Sequence, residues 1–298
     1  TIQNDGDEAI KIESYKETLL KVLSSEEDTT RPDYALPAEL YHPPANLNIN
    51  FQIDDQGHTP LHWTAAMANI PLVKLLIGLN ANALHCNSQG FNCITKAVFY
   101  NNCHKNGAFP ELISLLKICL ITPDKNGRLP LHYLVELSVN KTKDPNVIMT
   151  YLDDIVKNLG QGDESLLRMC LNYQDNVGNT PLHLAALNLN LQLCNKLCQL
   201  GASMTVSNFN NETPALILTR FNLVPPTNPS MSLPTAPTSS SSNDKNRYYR
   251  GESMQEQVYG VNNSLGNPVS VPKSNMMKNS SKTKKVNTRK QQNSQSED

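Results

Sequence analysis

The sequence predicts an all-α solenoid, built from stacked pairs of short helices and followed by a tail without a core. Three observations support this fold class. A turn motif recurs with its register residue at 57, 90, 127, 178 and 211, apolar residues return at helical spacing between the turns, and core-forming residues become sparse after position 224. We therefore divide the chain into residues 1–53, 54–224 and 225–298.

Residues 1–53 form an acidic extension that contains one predicted helix. Ten acids and four bases give residues 1–50 a net charge of −6. An apolar stripe at helical spacing predicts a helix from about Glu8 to Ser24, and its members are Ile12, Tyr15, Leu19 and Leu23. Prolines at 32, 37, 43 and 44 exclude a long helix from residues 25–53, which we expect to be irregular.

Each repeat of residues 54–224 is expected to begin with a tight turn that leads directly into a helix. The most regular copy, residues 175–186, reads DNVGNTPLHLAA. Asp favours the turn, Gly tolerates a positive φ, Thr caps the helix and Pro suits its first position. A period of about 33 residues with this motif is the signature of ankyrin repeats. The register residues are Gly57, Gly90, Gly127, Gly178 and Asn211.

The middle of the array departs from the regular ankyrin period. The differences between successive register positions are 33, 37, 51 and 33, so the largest insertion lies in the third repeat. A helical apolar stripe after Asp144 and Pro145 predicts an additional helix at about 145–159, and a second short helix is predicted at about 164–171. One hypothesis is that the additional helix is a partner surface. Its deletion would then abolish binding and leave the repeats folded.

No cofactor, metal site or catalytic group is predicted. Histidines and cysteines lie close together at several points, but the second ligand pair of a zinc site is missing. His62, His132 and His183 occupy the ankyrin turn position, and the resemblance to ankyrin repeats implies that their rings serve hydrogen bonding between adjacent turns. The seven cysteines lack disulfide spacing, which favours a reducing compartment, and no apolar run approaches membrane-spanning length. We therefore predict a soluble chain that is not an enzyme. Trp63 is expected to be packed, with an exposed binding anchor as the alternative.

Residues 225–298 are predicted to be a disordered basic linker rich in Ser, Asn and Pro. Residues 243–298 carry a net charge of +5. A cluster of bases without acids forms a possible nuclear-import or polyanion patch, consisting of Lys282, Lys284, Lys285, Arg289 and Lys290. A solvated tail without such a role is the alternative. Aromatic residues are not interleaved with the bases, which disfavours base stacking.

Beyond the general repeat, the chain resembles the ankyrin region of the fungal transcription factors that act at the start of the cell cycle. The resemblance rests on DDQGHTPLHW at 54–63, AMANIP at 66–71, GFNCITK at 90–96, CLITPD at 119–124 and NYQD at 172–175. Within this family the chain looks most similar to the DNA-binding subunit of the yeast factor that recognises MluI cell-cycle boxes. The general ankyrin pattern is not followed at Ala68, Leu189 and Asn211, where Gly is usual.

The resemblance implies a nuclear protein-interaction module of a transcription factor. It also implies protein partners, among them an ankyrin-bearing regulatory subunit of the same complex, and DNA contact only through a separate domain outside these residues. No membrane or small-molecule substrate is implied. Two alternatives stay open, namely a generic cytosolic ankyrin scaffold and weak nucleic-acid binding through the basic tail.

Overall fold

The structure is a computed structural model that describes residues 2–227 of the chain. The predicted tail beyond residue 227, including the basic patch, lies outside the described residues. Within residues 2–227 every regular element is helical, which confirms the predicted fold class. The α-helices are α1 Ile2–Ser24, α2 Pro60–Ala66, α3 Ile70–Gly78, α4 Cys93–Val98, α5 Asn102–Lys105, α6 Phe109–Leu115, α7 Lys117–Ile121, α8 Pro130–Glu136, α9 Pro145–Gly160, α10 Glu164–Leu171, α11 Pro181–Leu187, α12 Leu191–Gln199 and α13 Pro214–Arg220. Short 3₁₀ helices cover Ala38–Tyr41 and Leu137–Val139.

The N-terminal helix α1 is longer than predicted, because it begins at Ile2 rather than near Glu8. Gly6 lies inside it, since one glycine in a helix costs only about 1 kcal/mol relative to alanine. The predicted stripe faces the protein, with Tyr15, Leu19 and Leu23 all buried. The Tyr15 hydroxyl donates a hydrogen bond to the Leu40 carbonyl oxygen at 2.8 Å, which ties α1 to the first 3₁₀ helix.

The five register residues all adopt the left-handed conformation that the turn requires. The glycines have φ between 69° and 89°, and Asn211 has φ 59°. The Asp or Asn three residues earlier closes each turn through its side chain; for example, Asp175 Oδ1 accepts from the backbone N–H of Val177 at 3.0 Å and of Asn179 at 2.9 Å. Each turn with its flanking residues is called a finger below, numbered one to five along the chain.

The two helices of a repeat are joined by a second left-handed residue. Ala68 follows α2 with φ 59° and Leu189 follows α11 with φ 54°. The next backbone N–H then reaches back into the first helix, from Asn69 to the Thr64 carbonyl and from Asn190 to the Ala185 carbonyl. Ala68 and Leu189 therefore reverse the chain direction at a position where Gly is usual. Because they are not Gly, the left-handed backbone conformation costs them conformational free energy.

Replacing Gly178 by alanine is expected to lower the free energy of unfolding by about 2 kcal/mol or more. The residue has φ +83°, and an added Cβ would lie 2.6 Å from the Phe209 backbone nitrogen of the next finger. Gly78→Ala is the matched control, since a Cβ there meets nothing within 4 Å. Urea denaturation of both variants checks the difference, and equal stabilities would contradict the close approach of the fingers.

The insertion in the third repeat folds as two helices. α9 covers Pro145–Gly160 and α10 covers Glu164–Leu171, in agreement with the predicted ranges of about 145–159 and 164–171. Asp144 caps α9 by accepting from the Asn146 backbone N–H, and Asp163 caps α10 in the same way through Ser165. α9 packs against α6, α8 and α10, so the insertion lies inside the stack of repeats.

Candidate protein-interaction surfaces

The motif histidines connect successive fingers. In each case Nδ1 accepts a hydrogen bond from the backbone N–H three residues earlier, and Nε2 donates to a carbonyl of the following finger. His62 Nε2 lies 2.9 Å from the Phe91 oxygen, His132 Nε2 3.0 Å from the Tyr173 oxygen and His183 Nε2 3.0 Å from the Glu212 oxygen. Both ring nitrogens are satisfied in the neutral form. These histidines hold the repeats in register, as the sequence predicts.

A second set of side chains joins the fingers at the residue that follows the register position. His58 Nε2 accepts from Asn87 Nδ2 at 3.0 Å, and Asn179 Oδ1 accepts from Asn208 Nδ2 at 2.9 Å. At the third register the same position is Arg128, which donates to Asp175 of the fourth finger. Fingers one and two, three and four, and four and five are therefore each linked by these side chains as well as by a histidine ring.

Arg128 forms a buried ion cluster between the third and fourth repeats. Its Nε donates to Asp175 Oδ2 at 3.1 Å and its Nη1 to Glu136 Oε2 at 2.7 Å, and all three side chains are buried. The guanidinium also lies 5.3 Å from the Tyr133 ring centroid. Sequence reasoning missed this cluster because Arg128 and Asp175 are 47 residues apart.

Trp63 is packed and does not act as an exposed anchor. Its Nε1 donates to Asp54 Oδ2 at 2.9 Å, and the Lys96 amine lies 4.7 Å from its ring centroid. Burial raises the pKa of Asp54, but hydrogen bonds from His58 and Trp63 outweigh this and lower it to about 2. Burial lowers the pKa of Lys96 to about 8. This polar cluster lies at the first two repeats, and no pattern in the sequence indicated that a lysine would be buried there.

The cysteines show no feature of a nucleophile. Burial raises the pKa of Cys103 to about 12 and that of Cys194 to about 12, so these thiols stay protonated at neutral pH. Cys93 and Cys119 lie with their sulfurs 3.8 Å apart, and all seven thiols are free.

Across residues 2–227 no group of three or more His, Cys, Asp or Glu side chains is placed to hold a metal ion. In the same residues no helix is long and apolar enough to cross a bilayer.

Helix α9 buries its apolar stripe against the array, which leaves only the outer side of the helix for a partner. Tyr151, Leu152 and Ile155 are all buried. The Tyr151 hydroxyl donates to the Tyr100 oxygen at 2.9 Å and accepts from the His104 N–H at 3.0 Å. The stripe is therefore structural, and a partner surface on α9 stays a hypothesis for the outer, polar side of the helix. Deleting this helix would expose the second and third repeats, so it would not leave the array intact.

Truncating Tyr151 to alanine is expected to lower the free energy of unfolding by roughly 3 kcal/mol, since a large buried ring leaves a cavity. The ring packs on Phe109 with 4.1 Å between centroids, and the Tyr100 carbonyl loses its donor. Thr150→Ala, on the exposed side of the same helix, is the control and should change stability by no more than about 0.5 kcal/mol. Thermal melting followed by circular dichroism compares them. Equal melting temperatures would show that α9 is not part of the folded array.

Two surfaces in the described part of the chain are candidates for contact with partners. The outer side of α9 is polar, with Thr150, Asp153 and Lys157 exposed and Asp153 paired to Lys196 of α12 at 2.9 Å. The C-terminal end of the array is apolar, because Phe209, Leu216, Phe221 and Val224 all expose half or more of their surface. The sequence contained a signal for this end, since the fifth copy reads TPAL where regular copies read TPLH.

The ankyrin-repeat family matches two segments of the chain, residues 56–88 and 177–209. These are the first and fourth registers, where the regular spacing is kept. The chain therefore carries ankyrin repeats at these two segments. Its irregular middle repeats fall outside the two matched segments.

The array is similar to one from a solved structure, the Saccharomyces cerevisiae Swi6 ankyrin-repeat fragment. The TM-score is 0.57 at 28% sequence identity, and the match covers 72% of this chain and 87% of the fragment. That likeness supports the assignment of the fold to residues beyond the two matched repeats.

Curated relatives are regulators of transcription and of the cell cycle. Regulatory protein SWI4 of Saccharomyces cerevisiae is 62% identical over 220 residues, which is 74% of this chain and 20% of SWI4. Transcription factor MBP1 of the same organism is 28% identical over 201 residues, which is 66% of this chain and 23% of MBP1. The expectation that the MluI-box subunit is the most similar member is not confirmed, because SWI4 is far more similar. The names agree with the prediction that the chain is not an enzyme.

The chain spans about a fifth of the length of SWI4 and about a quarter of MBP1. The basic patch of Lys282, Lys284, Lys285, Arg289 and Lys290 lies outside residues 2–227, so its role stays a prediction.

Proposed function

We propose that this chain is the protein-interaction module of a SWI4-type transcription factor that activates genes at the start of the cell cycle. The observation that carries the proposal is the 62% identity to SWI4 over 220 residues. Identity at that level extends beyond the scattered turn motif that unrelated ankyrin proteins share, and so favours this function over a generic cytosolic scaffold.

The structure supports an interaction role through what its buried polar groups do. The motif histidines and the Arg128 cluster are used to hold repeats together, which leaves the exposed surfaces for partners. We expect one partner to be an ankyrin-bearing regulatory subunit of the SWI6 kind. DNA contact is assigned to a domain outside these residues, and the protein is expected to act in the nucleus.

A segment exchange tests the proposed function. In SWI4 of Saccharomyces cerevisiae, the aligned segment is replaced by the corresponding residues of this chain, and transcription of genes expressed at the start of the cell cycle is measured. We expect transcription close to that of the parent. A chimera that accumulates normally but does not support this transcription would contradict the proposal. A chimera carrying Arg128→Met is the control, because it shows how much transcription is lost when the segment is present but destabilised.

The nucleic-acid alternative has its own experiment. Duplex DNA is titrated with residues 1–298 and with residues 1–242 at increasing salt, because phosphate contacts give a steep salt dependence. We expect no salt-sensitive binding to either form at physiological salt. Binding by the longer form alone would favour the tail alternative.

Nuclear import is tested separately in a fluorescent fusion of the chain. Loss of nuclear accumulation is the expected result when alanine replaces the basic patch, which consists of Lys282, Lys284, Lys285, Arg289 and Lys290.

A further inference from the structure

The fifth register is the first half of a repeat. Helix α13 follows its finger as α11 follows the fourth, and it ends in a left-handed residue, Asn222, with φ 57°. The Leu223 backbone N–H then reaches back to the Leu218 carbonyl at 3.0 Å, as Asn190 does to Ala185 at 3.1 Å. The chain thus completes the reversal that precedes a second helix.

Residues 223–227, the last that the structure describes, do not begin the second helix of this repeat. In complete repeats an asparagine caps it, since Asn69 Oδ1 accepts from Leu72 N and Asn190 Oδ1 from Leu193 N. The corresponding residue is Leu223, which has no capping oxygen. Pro225 and Pro226 come next, and a residue before proline avoids the helical conformation. Residues 223–227 are accordingly not helical.

The half-repeat leaves apolar side chains uncovered. Leu216 takes the place of the motif histidine, which in the other complete motifs is buried by the following finger, and 55% of Leu216 is exposed. Phe221 is 50% exposed and Val224 is 85% exposed. We call Leu216, Phe221 and Val224 the terminal patch. Exposed apolar residues that gather at one site mark interaction surfaces more often than single ones do.

We propose that the terminal patch is covered by residues 248–259 of the same chain. The chain leaves the array at this end, and the whole of residues 228–298 follows Thr227. Within them the segment YYRGESMQEQVY brings together five apolar or aromatic residues in twelve, namely Tyr248, Tyr249, Met254, Val258 and Tyr259. The preceding stretch, 228–247, holds only Met231, Leu233 and Ala236 of this kind.

The segment carries the local signals of a short helix. Ser253 and Glu256 have the spacing of a capping box, and Met254 and Val258 stand four residues apart, on one face of a helix. Gly260 follows as a helix stop. A helix from 254 to 259 is shorter than α3 or α12 and similar in length to α4, so it fits the dimensions that this array uses.

The tether makes docking within one molecule favourable. Residues 228–247 belong to the predicted linker, and twenty residues of such a linker would have a root-mean-square span of about 25 Å. A short flexible tether gives an effective concentration in the millimolar range. A second copy of the chain or a separate protein would have to compete with that concentration, which is why we assign the patch to the chain itself.

Photo-crosslinking of the full chain tests the assignment, and it is independent of the proposed function. Benzoylphenylalanine is placed at position 216 in residues 1–298, the protein is irradiated, and crosslinked peptides are identified by mass spectrometry. An equal mixture of ¹⁴N and ¹⁵N protein separates links within one molecule from links between two. We expect links within one molecule from 216 to residues 248–259. Links between molecules, links to other tail residues or no link to the tail would each overturn the proposal.

Amide hydrogen exchange gives a second measurement, which does not require benzoylphenylalanine at position 216. In the full chain we expect the Val258→Glu variant to raise the exchange rates of the α13 amides, including Ile217 and Leu218, about tenfold. Val271→Glu is the matched control, with the same change in the tail outside the segment, and should leave those rates unchanged. Equal α13 rates in the parent and both variants would overturn the proposal. The exchange rates of the α2 and α3 amides, at the other end of the array, show whether either variant has destabilised the whole fold.

Discussion

Lowering the pH from 7 to about 4.5 is expected to destabilise this array strongly, through its three motif histidines. Burial lowers the pKa of His62, His132 and His183 to about 4 each. Protonation at Nδ1 would also break the hydrogen bond that each ring accepts from the backbone at the helix start. In the unfolded chain the same rings have a pKa near 6.5.

The sign of the effect follows from proton binding. Between pH 6.5 and 4 the unfolded chain binds more protons than the folded one, so the free energy of unfolding falls as the pH falls through this window. Each histidine contributes a slope of up to about 1.4 kcal/mol per pH unit, or roughly 4 kcal/mol per pH unit for all three. Above about pH 7.5 these groups contribute almost no slope, because the rings are then neutral in both states.

Urea denaturation at a series of pH values measures this slope. His183→Asn is the matched variant, since it removes one of the three titrating rings and should reduce the slope between pH 6 and 5 by about one third. Its absolute stability will also be lower, because the bond to the Glu212 carbonyl is lost, so the slope is the quantity to compare. A parent protein whose stability is unchanged from pH 7 to 5 would contradict the assigned pKa values.

The parts of the fold that sequence reasoning predicted are those that depend on neighbouring residues. The turn at Gly178 needs its Asp175, its Thr180 and its Pro181, all close together in the chain, so the register could be read directly. α9 and α10 are predictable for the same reason, because Asp144 with Pro145 marks a start and the apolar stripe marks a face. The tight approach of Gly178 to Phe209, in contrast, depends on the next repeat and is visible only in the structure.

The parts that could not be predicted depend on contacts distant in sequence. The apolar stripe of α9 could face a partner or the array, and only its contacts with Tyr100, His104 and Phe109 decide that it faces the array. Similarly, Lys96 could be placed on a helix from sequence, but its burial against Trp63 depends on how the first two repeats stack. A repeat period specifies how each unit folds and leaves open which atoms meet between units of unequal length.

Replacing Arg128 by methionine is expected to lower the free energy of unfolding by about 3–5 kcal/mol, which is typical when one member of a buried ion cluster is removed. Methionine fills much of the same volume, so little of the loss comes from a cavity. The main cause is that Asp175 Oδ2 and Glu136 Oε2 lose the guanidinium that lies between them. Two carboxylates then remain buried at the junction of the third and fourth repeats, without a compensating charge.

Two further variants distinguish this cause from a general effect of losing a positive charge. Lys74→Met removes a partner of Glu111 in an exposed pair and should cost no more than about 1 kcal/mol. Arg128→Lys keeps the charge at position 128, but a single amine cannot replace the guanidinium fork that bonds Asp175 through Nε and Glu136 through Nη1, so it should restore only part of the stability. Equal urea midpoints for Arg128→Met and Lys74→Met would show that the cluster is not what joins the two halves of the array. If the cluster does join them, the Arg128→Met protein should unfold in two steps, because the junction between the third and fourth repeats has lost the ion cluster that bridges it.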